Sequence, residues 1–109
     1  ALVLLNDPTF IEAARVLGEK MLVYEDPKES IDFTFRKLTG RKAKKEELAT
    51  LVALFEDEYE LFKVNPGKAE GWLNTGQFRI SADDDRTKVA ANAVVASTIM
   101  NADATITKR

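Results

Sequence analysis

Apolar residues recur at helical intervals along most of the chain. Phe10, Ala14, Leu17 and Met21 follow at steps of four, three and four, and Ile11 and Leu22 broaden that stripe. Asp7-Pro8 just ahead reads as a helix start, a capping carboxylate followed by proline at the first helical position. The pattern predicts a helix ending near Val23 or Tyr24. Asp26-Pro27 repeats the device, with Glu29 placed as in a capping box. Ile31, Phe35 and Leu38 form the second stripe, and Gly40 is its stop. Phe33 lies off that stripe.

The third helix is predicted from Ala43 to Lys63. Leu48, Val52, Phe55, Tyr59 and Phe62 recur at steps of four, three, four and three, widened by Leu51 and Leu54. Glu46 and Glu47 suit its positive end, and Lys63 its negative end. Asn65-Pro66-Gly67 then breaks the chain. A short helix is expected over Lys68 to Thr75, with Ala69, Trp72 and Leu73 inward. Gln77 to Asp84 reads as a loop. A fifth helix is expected from Asp85 to Asn101, with Val89, Ala93, Ala96 and Met100 in one row, Ile99 beside it, and small residues that permit close packing. The fold class these elements predict is all-α, a single compact bundle of about five helices over residues 1–109.

Composition fits one soluble helical domain and removes many chemistries. The chain has 109 residues, 45% of them hydrophobic and 31% charged. It contains no cysteine and no histidine. Disulfides, thiolate zinc sites, cysteine nucleophiles, imidazole ligands and serine–histidine catalysis are therefore excluded. No C-x-x-C-H is present, so the chain attaches no c-type haem itself. The formal charge of −2 does not point to nucleic acid or an anionic membrane. No apolar run approaches the ~20 residues of a membrane span. The sequence opens abruptly on the apolar run Ala1–Leu5, as in a piece cut from the C-terminal part of a longer protein.

Three stretches carry a resemblance. They are Leu4-Leu5-Asn6-Asp7-Pro8-Thr9-Phe10-Ile11-Glu12-Ala13-Ala14-Arg15; Thr39-Gly40-Arg41 followed by Glu47-Leu48; and Val94-Val95-Ala96-Ser97-Thr98-Ile99-Met100-Asn101 with Asp103 and Thr107-Lys108-Arg109. Their order and spacing resemble the C-terminal domain of unknown function of large planctomycete and verrucomicrobial proteins, which also carry a planctomycete-type cytochrome c domain. The resemblance implies a larger parent, exported or associated with the cell envelope. The chain departs from that pattern at Asn92, where an aromatic is usual, at Ala102, where leucine is usual, and at Ala104, where glutamate is usual.

Several residues invite a functional reading, each beside a structural one. Arg36, Lys37, Arg41, Lys42, Lys44 and Lys45 are six cations within ten residues around a turn, as in a helix-turn-helix. The acidic continuation Glu46, Glu47, Glu56, Asp57, Glu58 and Glu60 would repel phosphate, so a solvated loop is the better reading. Arg41 is a candidate for binding an anion or partner; pairing with a carboxylate such as Glu47 is the structural alternative, and the favoured one. Asp83, Asp84 and Asp85 are better explained as helix caps than as a calcium site. Asn6, Asp7, Asn101 and Asp103 are candidates for a hydrogen-bonded network joining the first and last helices, with a catalytic carboxylate pair as the sharper, less favoured reading. Trp72 reads as a plug at one end of the core. Phe33 and Phe78 are candidates for an exposed apolar patch.

These readings converge on a non-enzymatic docking module of a larger exported protein. Its expected partners are the upstream domains of its own parent chain. No nucleic acid, cofactor, metal or direct membrane insertion is expected, and the chain is expected to be a monomer or weak dimer. The alternative is an accessory contribution to an active site formed with the parent's upstream domains.

Overall fold

The computed structural model describes residues 8–68 and 83–107, with side chains described over 12–68 and 86–102. Four α-helices account for most of these residues: α1 (Pro8–Lys20), α2 (Pro27–Thr39), α3 (Lys45–Val64) and α4 (Asp83–Thr107). A 3-10 turn, Met21–Val23, extends α1. The described residues contain no strand. The all-α bundle is the fold. Its Cα radius of gyration, 13.1 Å, matches the about 13 Å expected of a compact chain of this length.

Local signals set the helix boundaries. Asp26 accepts a bond from the Lys28 N–H at 3.0 Å, and Pro27 opens α2 with its missing donor where no helical bond is needed. Gly40 closes α2 in the left-handed conformation, φ 78°, and its N–H returns to the Arg36 carbonyl at 2.9 Å. α4 begins before the predicted Asp85 and continues past Asn101 to Thr107. The predicted helix Lys68–Thr75 and the connection Gln77–Asp84 fall, apart from their end residues, outside the described residues.

α4 is the axis of the molecule. It packs against α1, α2 and α3, whereas α1 makes its main contacts with α4. Val89, Ala90, Ala91, Asn92 and Ala93 are all buried, as are Val95, Ala96, Ser97 and Ile99. Consecutive buried residues cover the full circumference of a helix, so α4 is enclosed on every side there. The single inward row read from the sequence is therefore too narrow; Met100, one of its members, is only half-buried. Small side chains are the physical reason, because they let three neighbours approach one helix.

α1 and α4 approach each other closely at Gly18. A Cβ on Gly18 would stand 2.7 Å from the Val89 carbonyl oxygen and 3.1 Å from the Ala93 nitrogen. The Asn92 amide donates to the Gly18 carbonyl at 3.2 Å, in the last turn of α1, where the helical ladder runs out. Farther along, the Lys88 ammonium reaches the Glu25 carbonyl at 3.5 Å. On α3, the inward face centres on Leu51, Phe55 and Phe62, with Leu48, Val52 and Tyr59 half-buried beside them.

Candidate functional site

The turn between α2 and α3 carries a cluster of side-chain hydrogen bonds. The Thr39 hydroxyl donates to the Phe35 carbonyl at 2.7 Å and accepts from the Arg41 N–H at 3.3 Å. Gly40 then turns the chain so that the Arg41 side chain lies back over α2. Its guanidinium sits 4.9 Å from the centre of the Phe35 ring. It also donates to both Glu47 oxygens, at 3.0 and 2.9 Å, and to the Lys42 carbonyl at 3.3 Å.

Glu47 serves two purposes. Besides holding Arg41, its Oε1 accepts the Lys44 N–H at 2.8 Å, as the N3 carboxylate of a capping box does. The Arg41 side-chain bonds, followed by that backbone bond, hold its carboxyl well below the usual carboxylate range, at about 2. The alternative in which Arg41 pairs with Glu47 is thus what the structure shows.

Beside this pair, the C-terminal end of α2, the first turns of α3 and the later part of α4 enclose a groove of about 480 Å³. Phe35, Leu51 and Ile99 give it an apolar floor. Thr39, Thr50 and Thr98 stand around them, Arg41, Glu46 and Glu47 line one side, and Ala102 the α4 side. The volume is in the range of ligand and peptide sites, roughly 300–1,000 Å³. Arg36, Lys37, Lys42, Lys44 and Lys45 are all exposed around the same turn.

Of the remaining candidates, only Phe33 and Asn101 have described side chains. Phe33 is 48% exposed, beside the half-buried Tyr24 at a ring separation of 5.5 Å, on a different part of α2 from the groove. Asn101 is half-buried on α4. Asp103, Asp83, Asp84 and Asp85 lie within α4, but their side chains are outside the described residues, as are Asn6, Asp7, Trp72 and Phe78. Among the described residues no group of three or more acidic side chains is gathered as a metal site. No described helix is long and apolar enough to cross a membrane.

Two features escaped the sequence reading. One is the groove itself, whose lining comes from three helices. The other is the pairing of the buried Arg15 with the half-buried Glu19 on α1. Burial raises the Glu19 pKa, and the Arg15 charge opposes that rise. Their spacing of four residues was the available signal.

Residues 1–55 match the model of a family described as PSD1, a protein of unknown function (DUF1553). The chain belongs to that family. The PSD1 match spans α1, α2 and α3 as far as Phe55, so it contains the whole Arg41–Glu47 turn. No curated protein and no solved structure matches the chain.

Proposed function

We propose that this PSD1-family chain is a non-enzymatic docking module, and that the end of the bundle formed by the α2–α3 turn faces the rest of a larger, exported parent. One observation carries this reading. An apolar groove opens at the same end of the molecule as a run of exposed cations without an acid among them. An apolar floor supplies affinity through burial, and the charged rim supplies orientation and rate of encounter. The Arg41–Glu47 pair stiffens the wall between them. Because its charges satisfy each other, it acts as structure and not as a free anion receptor.

The partner in this reading is the upstream part of the same parent, the exported, cytochrome c-bearing kind of protein that the sequence resembles. Titration calorimetry of this chain against the separately produced upstream segment is the test. Saturable binding that weakens with added salt is expected. Absence of binding between two folded partners would overturn the reading.

A further inference from the structure

We infer that the groove between α2, α3 and α4 takes an amphipathic helix of the partner, one whose apolar stripe is flanked by carboxylates along one side. This deepens the docking reading by naming the partner's chemistry, and it rests on that reading.

The hydrogen bonds around the groove select a helix. Its three threonines spend their hydroxyl donors on their own helices: Thr39 on the Phe35 carbonyl at 2.7 Å, Thr50 on the Glu46 carbonyl at 2.9 Å and Thr98 on the Val94 carbonyl at 2.9 Å. The Arg41 guanidinium is engaged by Glu47 and the Lys42 carbonyl. The floor of Phe35, Leu51 and Ile99 offers no polar side chain. An extended segment pressed onto that floor would bury backbone N–H and C=O groups without partners. The described residues contain no strand whose edge could pair with it. A helix brings its backbone bonds with it and presents side chains alone. Helices dock in grooves through anchors at steps of three and four, and about 480 Å³ is room for the side chains of such a stripe.

Charge selects the flank. Arg36 and Lys37 follow Phe35 at the end of α2, and Lys42, Lys44 and Lys45 fall between Arg41 and Glu46. All five are exposed, and among the described residues none of them is in an ion pair. Over residues 36–47, six cations stand against two acids, and one of these, Glu47, is committed to Arg41. The α4 side differs, because residues 94–102 carry no charge. A helix in the groove therefore meets positive charge along its α2–α3 flank and none along residues 94–102. Carboxylates on the first flank complement that field, and lysines there are repelled by it.

Two synthetic helical peptides of about 18 residues make the test. They share one leucine stripe at steps of three and four. One carries glutamates along a single flank of the stripe, and the other carries lysines there. Each is labelled and titrated with the whole 109-residue chain at low ionic strength, and fluorescence anisotropy reads the binding. The glutamate peptide is expected to bind about tenfold more tightly than the lysine peptide and to lose that advantage in added salt. Lys44→Glu combined with Lys45→Glu should abolish the preference. Acids there suit the start of α3, so the fold is retained, which circular dichroism checks. Thr98→Trp, on the groove wall, should weaken both peptides. Binding of neither peptide, equal affinity for the two, a preference that survives the double charge reversal, or binding indifferent to Thr98→Trp would each overturn the inference. The calorimetric titration separates this outcome from the docking reading. Binding of the upstream segment without a glutamate preference removes only the acidic helix. A glutamate preference without binding of the upstream segment removes only the parent as the partner.

Discussion

At the scale of single residues, the turn at Gly40-Arg41 depends on one carboxylate held at both ends. Glu47 has a folded pKa of about 2, below its ordinary 4.5. A lowered carboxylate pKa contributes stability that is present above the unfolded value and is lost as pH falls through the folded one. Acid unfolding of the chain should therefore show a component between about pH 4.5 and 2 that Glu47→Gln removes, measured by circular dichroism across a pH series. Arg41→Lys should behave more like Arg41→Ala than like the parent chain. An ammonium cannot engage both Glu47 oxygens in a fork while also lying over Phe35, so both substitutions should lower the melting temperature. Arg41 and Glu47 were readable as a pair because the partner lay only six positions away. Phe35 beneath them was readable only as core, because the sequence does not show which side chain will lie over which ring.

At the scale of elements, the α1–α4 contact is set by Gly18 and Asn92. Gly18→Ala would gain helix propensity, yet its methyl would meet the Val89 carbonyl at 2.7 Å. Backbone cannot yield as a flexible side chain does, so urea denaturation should show a net loss of about 1–3 kcal/mol. Asn92→Ala should lose a similar amount, about 1–3 kcal/mol, by leaving the Gly18 carbonyl buried without its amide donor. The helices themselves were legible where a stripe met a cap. Asp26-Pro27 and Gly40 bound α2 as the sequence predicts, because a cap is a local event. The environment of α4 was not legible in the same way. A chain of alanines and valines indicates that close packing is allowed, but not from how many directions. Asn92 looked like a lost apolar contact because its acceptor lies in α1, seventy-four positions away.

At the scale of the whole molecule, three helices surround a fourth and leave an apolar groove open at one end. That groove could not be read from any one stripe: Phe35, Leu51 and Ile99 each look like ordinary core positions on their own helices. Only the register that brings the end of α2, the start of α3 and the later part of α4 together makes them a surface. Filling it should therefore affect association before it affects folding. Thr98→Trp, on the exposed wall, should leave the melting temperature nearly unchanged and weaken binding of the upstream segment by calorimetry. The most direct test of the docking surface is amide NMR of the isotope-labelled chain titrated with that upstream segment. Shift changes concentrated on residues 36–51 and 98–102 are the predicted result. Changes concentrated around Val23, Tyr24 and Phe33, with the α2–α3 turn and the groove unmoved, would contradict it.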